Sequence, residues 1–415
     1  MQLNIGKFNV RDIQLGKKTI LEKEILTVNK TELLSVIHDE SVFKSMDVEV
    51  VKPNENTRII HVLDSIQPRI KLSGLHAFPG MTGKVYSAGT GTTFCLDDTA
   101  VIVSCEREKG IGNIVHESMI DMTGPGAEFN LFASLNNIVI ICEAVEGLGD
   151  AEFGKATRLV GLKAAEYLAK ASLTLEPDQL EKYTLQTDAE GLPKVAYIYL
   201  VQSQGYLRQT FVYGADMNGS LPAVLHPNEV MDGAVVSGNY VIGAQKNPTY
   251  LHVNNPVISS LYDKHGKELD FVGVIISNEH SLLEEKERGG MMAAKQAKLL
   301  GADGVIITKE GGGNTYTDLM VTCRECEKLG IHTVIITNEV SGPDGDQPPL
   351  VDMTIEANAI VSTGNMDEMI ELPKVNKVIG KSNTGSEGES FSTNLGRLYT
   401  RTNPLGNYTL TAIET

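Results

Sequence analysis

Three Val/Ile-rich runs, Phe271-Val-Gly-Val-Ile-Ile-Ser277, Gly304-Val-Ile-Ile-Thr308 and His332-Thr-Val-Ile-Ile-Thr337, are separated by segments of helical period. No other feature of the chain restricts its fold as much. Near-continuous apolar strands need cover on both faces, which parallel sheets obtain from crossover helices. The spacing predicts helices over 282–300, despite Gly289-Gly290, and over 318–329, with Ala359-Ile-Val-Ser-Thr363 as a last strand. Residues 261–380 therefore read as an open α/β domain whose sheet resembles a doubly wound one. In such sheets ligands bind beyond the carboxyl ends of the strands.

Here those ends carry small, amidic or acidic residues, which makes Glu310, Gly312, Gly313, Asn314, Asp318, Asn338, Asp344 and Asn365 candidate binding residues. The loop Glu310-Gly311-Gly312-Gly313-Asn314 lacks the GxGxxG fingerprint. Lys309 precedes its glycines, so it is not a Walker loop either, and no nucleotide is expected. Glycines alone would mark an ordinary turn that needs positive φ. Asn314 and Thr315, placed near a helix N-terminus, favour a carboxylate there.

Upstream, residues 1–120 read as a β-rich N-terminal domain with one helix opened by Thr31. Residues 121–260 read as an α/β domain. Its buried strands are expected at 137–143 and 195–202, with a third at 233–242, and a helix at 151–171 suggests a parallel layer. The fold class is thus α/β: a β-rich N-terminal part followed by mostly parallel layers. After Gly380 the Ser/Thr/Gly/Asn-rich residues 381–415 read as a loosely held tail with at most a hairpin.

Other polar clusters stay ambiguous. His226-Pro-Asn-Glu229, and Asn254-Asn255-Pro256 following His252, could serve acid–base or binding roles. Proline and asparagine are equally what turns require. Cys323-Arg-Glu-Cys326 has CxxC spacing but no second pair, so no metal site is expected, and it falls inside a helix rather than at its start. No GxSxG elbow supports a serine triad.

The 53 acidic against 36 basic residues give a net charge of -17, which repels nucleic acids and anionic membranes. The first residues lack the pattern of a secretory signal, no apolar run is long enough to span a bilayer, and the five cysteines are scattered. Together these lead to the expectation of a cytoplasmic protein.

Several stretches, taken in order, resemble the precursor of the alpha and beta subunits of component B of the glycine/sarcosine/betaine reductases. They are Asp121-Met-Thr-Gly-Pro-Gly-Ala127, Gly161-Leu-Lys-Ala-Ala-Glu-Tyr167, Asn228-Glu-Val-Met-Asp-Gly-Ala-Val-Val-Ser-Gly-Asn239, Asn254-Asn-Pro-Val-Ile258, Gly301-Ala-Asp-Gly-Val-Ile-Ile307, Gly313-Asn314 with Asp318-Leu-Met320, and Gly364-Asn365 before Lys377-Val-Ile-Gly380. The resemblance implies an oxidoreductase subunit for anaerobic amino-acid reduction, with C–N cleavage and amine release. It also implies an oligomeric complex. Its partners would be a selenocysteine-containing sister subunit, selenoprotein A and a small amino acid or N-methylated relative. In the family a precursor cleaves itself at an internal cysteine to leave a pyruvoyl carbonyl.

By that pattern the cleaving residue lies within 238–249, best placed at Ala244, yet no Cys or Ser lies between Gly238 and Pro248. Alanine offers no side-chain nucleophile, so the pyruvoyl group is not formable from it. Three explanations remain: an engineered replacement, a natural paralogue that binds or assembles without the covalent step, or a processing position elsewhere.

Overall fold

The computed structural model describes residues 1–39, 41–106, 118–128, 130–185, 189–202, 210–238, 242–381, 386–406 and the backbone of 411–413. Two sheets organise it. The first has strands β1 (Phe43–Val51), β2 (Val62–Ile66), β3 (Thr99–Glu106) and β4 (Asn136–Ala144), in the order β1-β4-β3-β2. The pair β3/β4 is parallel and the outer pairs are antiparallel. Helix α1 (Asp150–Ala169) packs Phe153, Val160, Leu162, Ala164 and Leu168 onto one face, against Val101, Val103, Ile138 and Ile140.

The second sheet contains β5 (Lys194–Val201), β6 (Ala223–Leu225), β7 (Asp270–Asn278), β8 (Gly304–Thr308), β9 (His332–Glu339), β10 (Ile360–Asn365) and β11 (Thr411–Ile413). Its order is β6-β7-β5-β8-β9-β10-β11, with the five central strands parallel and both edges antiparallel. Helix α2 (Pro256–Lys264) covers one face, and α3 (Leu283–Leu299) with α4 (Thr315–Lys328) covers the other. The alternation is clean. Tyr197, Tyr199 and Val201 of β5 enter one core, while Ala196, Ile198 and Leu200 enter the other, as the two-residue period of a strand requires.

The expected open sheet is present, but its central strand is β5, from before residue 260. The segment 137–143 does not join β5 in one parallel layer as expected; β4 completes the first sheet with strands from before residue 120. Boundaries drawn at 120/121 and 260/261 thus run through both sheets. The first sheet's other face contributes Ala100, Ile102 and Val139 to a core shared with Tyr197, Tyr199 and Val274 of the second.

Two further expectations fail. The described residues of 233–242 do not form one buried strand: Gly233 lies in a wide helical turn, Val230–Ala234, and among these described residues only Val235–Val236 pairs, while 239–241 lie outside them. Gly233 adopts φ +88, and a Cβ there would lie 2.2 Å from the Ala77 carbonyl. The segment after Gly380 is no loose tail either. Leu395, Leu398, Tyr399 and Leu405 are buried, and Tyr399 packs against Phe132 with ring centroids 5.4 Å apart. Apolar content, rather than the Ser/Thr/Gly/Asn around it, decides where this segment lies.

Candidate functional site

The five parallel strands run β7-β5-β8-β9-β10, so the chain changes direction between β5 and β8. That reversal opens the crevice where open α/β sheets bind ligands. Gln202 follows β5, Glu279 follows β7, and Lys309-Glu310 follow β8. Glu310 spans the switch point: the Gln202 N–H and the Thr210 hydroxyl both donate to its Oε2, at 2.7 and 2.6 Å. Its own N–H donates to Glu279 Oε1 at 2.9 Å. Burial outweighs these bonds and pushes the Glu310 carboxyl up to about 7. Glu279 is likewise pushed well above the carboxylate range by burial.

Lys309 lies beneath the loop. Its ammonium donates to the Gly311 carbonyl and to Asn338 Oδ1, at 2.5 and 3.1 Å, and sits 4.0 Å from the Tyr316 ring centroid. Burial lowers it to about 7. Gly311 and Gly313 use positive φ. Gly312 is needed for room, because a Cβ there would lie 2.7 Å from Gln245 Oε1. The glycine loop therefore meets the short helical turn Gly243–Gln245, which holds Ala244.

That turn is buried and pinned from the C-terminal segment. The Thr400 N–H donates to the Gly243 carbonyl at 2.9 Å, and the Thr402 N–H to the Ala244 carbonyl at 3.0 Å. Asn403 Nδ2 donates to the Lys246 carbonyl and to Asn247 Oδ1, at 2.6 and 2.7 Å. Thr400 adopts φ +60, a conformation costing a β-branched residue roughly 1–3 kcal/mol. The strain aims an N–H at the carbonyl preceding position 244.

Charged groups close around it. The Lys246 ammonium donates to the Gly238 carbonyl and is lowered to about 8 by burial, against the pull of Asp64 and Glu310. Asp64 accepts from the Thr249 N–H and hydroxyl at 3.0 and 2.6 Å. His252, lowered to about 3 by burial, bonds the Tyr199 hydroxyl through Nδ1 at 2.8 Å and turns Nε2 toward Glu310 Oε1 at 3.8 Å.

The structure thus gathers Glu310, Gly312 and Asn338 by Lys309 and sets the turn that holds Ala244 against Gly312. Other candidates stand apart. Asp318 pairs with Lys286 and caps the His280 N–H. Asn314 is exposed, its amide 3.5 Å from the His280 carbonyl. Gly313 faces open space, Asp344 is exposed, and Asn365 holds the turn before it by accepting from the Ser341 N–H at 3.1 Å. His226 and Glu229 form a reciprocal helix cap, Asn228 N–H to His226 Nδ1 at 3.1 Å and His226 N–H to Glu229 Oε2 at 2.6 Å. Asn255 caps α2, and Asn254 donates to Gln67 and Tyr250.

Lys246, Asp64, Tyr199 and Thr400 were not singled out from sequence. Asp64 alone left a trace, a charge inside the apolar run Val62-Leu-Asp-Ser-Ile66. Residues 239–241 of the segment around Ala244 lie outside the described residues. Among the described residues no group of three His, Cys, Asp or Glu could hold a metal, and no helix is long and apolar enough to cross a membrane. Cys323 and Cys326 are buried in α4, their thiols pushed up to about 11 and about 12 by burial.

Residues 1–393 match the family described as glycine/sarcosine/betaine reductase component B subunits. The chain is 46% identical over 389 residues to the glycine reductase complex component B subunits alpha and beta of Acetoanaerobium sticklandii, covering 92% of this chain and 89% of that one. It is 44% identical over 387 residues to the sarcosine reductase complex component B subunit alpha of Peptoclostridium acidaminophilum, with the same coverage. A D-proline reductase proprotein of Acetoanaerobium sticklandii is 22% identical over 353 residues, covering 79% of this chain and 53% of the relative. No solved structure matches.

Proposed function

We propose a function from the premise that the chain belongs to the glycine/sarcosine/betaine reductase component B family: it is a subunit of an amino-acid reductase complex, an oxidoreductase that cleaves a C–N bond and releases an amine. In this reading the crevice at Glu310 holds a small amino acid or N-methylated relative. A selenocysteine-bearing sister subunit attacks the carbon next to its carboxylate, and selenoprotein A receives the carboxymethyl group.

The observation that carries the reading is the meeting of the Gly243–Gln245 turn with Gly312, in the loop that Glu310 opens at the sheet's switch point. Buried groups with strongly moved pKa values in such a crevice favour a ligand site over a structural turn. A proprotein among the relatives supports a carbonyl formed by self-cleavage in some members. The residues at this position do not fit that group. Ala244 has no thiol or hydroxyl, and all five cysteines are buried elsewhere. No step is assigned to a pyruvoyl carbonyl here, and the chain works uncleaved. The sarcosine reductase relative is named as subunit alpha alone and the glycine reductase relative as alpha and beta, which leaves room in the family for an uncleaved form.

The test is reconstitution of the full chain with the selenocysteine-bearing subunit and selenoprotein A, following amine release from glycine, sarcosine and betaine. Release from one of them by the intact 44.9 kDa chain is expected. A partner set that is active with another component B but inert with this chain defeats the reading. Separately, Ala244→Cys is expected to yield two fragments by mass spectrometry under native conditions. An intact variant removes position 244 as the family's processing site.

A further inference from the structure

The two oxygens of Glu310 see different surroundings. Oε2 is held by Gln202 and Thr210, while Oε1 looks across to His252 Nε2 at 3.8 Å, too far for a direct hydrogen bond. The His252 ring is fully buried, and its Nε2 has no hydrogen-bond partner among the described residues. Folded chains rarely leave such a nitrogen unmatched. The network also assigns its proton. Asn247 Nδ2 donates to the Tyr199 hydroxyl at 3.4 Å, and among the described residues the acceptor for the Tyr199 proton is His252 Nδ1 at 2.8 Å, which leaves the ring N–H on Nε2.

A donor therefore faces an acceptor at 3.8 Å, a separation at which one further atom can hydrogen-bond to both. A third unmatched atom, Gln245 Oε1, lies buried beside Gly312 of the same loop.

The geometry points to a seat between His252 Nε2 and Glu310 Oε1 for the nitrogen of a primary or secondary amine, taken as the free base. Its lone pair accepts from Nε2–H, and its own N–H donates to Oε1. A buried site favours the neutral base over the ammonium. A quaternary nitrogen has neither lone pair nor N–H and leaves both protein groups unmatched, which is how a polar site rejects an analogue. The inference rests on the reductase reading and narrows it: glycine and sarcosine are substrates for this chain, and betaine is not.

The experiment is calorimetric titration of the full chain with glycine, sarcosine and betaine. Glycine and sarcosine are expected to bind, and betaine to bind more weakly by about tenfold or more. Glu310→Gln keeps the carbonyl oxygen that Gln202 and Thr210 use and turns an NH2 toward His252. It is expected to weaken sarcosine about tenfold or more and to leave betaine unchanged. Betaine binding as tightly as sarcosine, sarcosine indifferent to Glu310→Gln, or no binding of any of the three overturns the seat. The wild-type comparison decides alone if the variant does not fold. A reconstituted complex that releases amine from betaine only overturns the seat and leaves the subunit reading standing. Inert reconstitution with selective binding does the reverse.

Discussion

At Glu310 burial wins over hydrogen bonding, and the consequence is measurable without any ligand. The carboxyl titrates near 4.5 when unfolded and near 7 in the fold. Between those values the folded state binds more protons, so the wild-type contribution to stability is present at low pH and is lost as pH rises through about 7. Glu310→Gln carries no such slope. Urea denaturation is expected to show the variant gaining on wild type by roughly 1–3 kcal/mol between mildly acidic and mildly alkaline buffer. Parallel profiles would mean that the carboxyl is ionised throughout. At this scale Glu310 and Gly312 were legible because they follow a recognisable strand. Lys246, Asp64 and Thr400 were not, because their roles arise only where distant segments meet.

At the element scale, α3 keeps Gly289-Gly290 in its interior, where helix propensity disfavours glycine. Its packing supplies the reason. A Cβ on Gly290 would stand 2.9 Å from Val321 Cγ1 and 3.1 Å from the Thr322 nitrogen of α4, so the two helices approach through the missing side chain. Propensity alone predicts that Gly290→Ala stabilises by up to about 1 kcal/mol. We expect the reverse, a loss of roughly 1–2 kcal/mol in thermal or urea denaturation, because the helices must separate. The cap at Pro227–Glu229 offers a second check. Glu229→Ala is expected to cost about 1 kcal/mol of stability or somewhat more while leaving sarcosine affinity unchanged, since the His226 side chain is spent on a backbone N–H and Glu229 on a backbone N–H and the Tyr213 hydroxyl. A selective loss of affinity would return this pair to the site. The helices and parallel strands after residue 260 were legible through their periods. The turn at Gly233 was not, because a left-handed glycine inside an apolar run reads as strand.

Across the whole molecule, the C-terminal segment is the keystone of the site. Thr400, Thr402 and Asn403 hold the turn around Ala244, and Tyr399 fills the core shared by the two sheets. A chain ending at Gly380 is expected to lose cooperative thermal unfolding and to expose the 243–249 segment to protease, which limited proteolysis with mass mapping reads directly. A melting profile like that of the full chain would support a loose tail instead.

By itself the sequence determined the parallel α/β strands after residue 260, where their carboxyl ends fall, and the family, because strand and helix periods and short ordered motifs are local properties. Only the tertiary structure decided that β5 is the centre of the second sheet, that β4 belongs with the first, and that residues 395–405 close over Ala244. Strand order and long-range burial are set by which surfaces remove most apolar area from water once all segments compete. No window of sequence contains that competition.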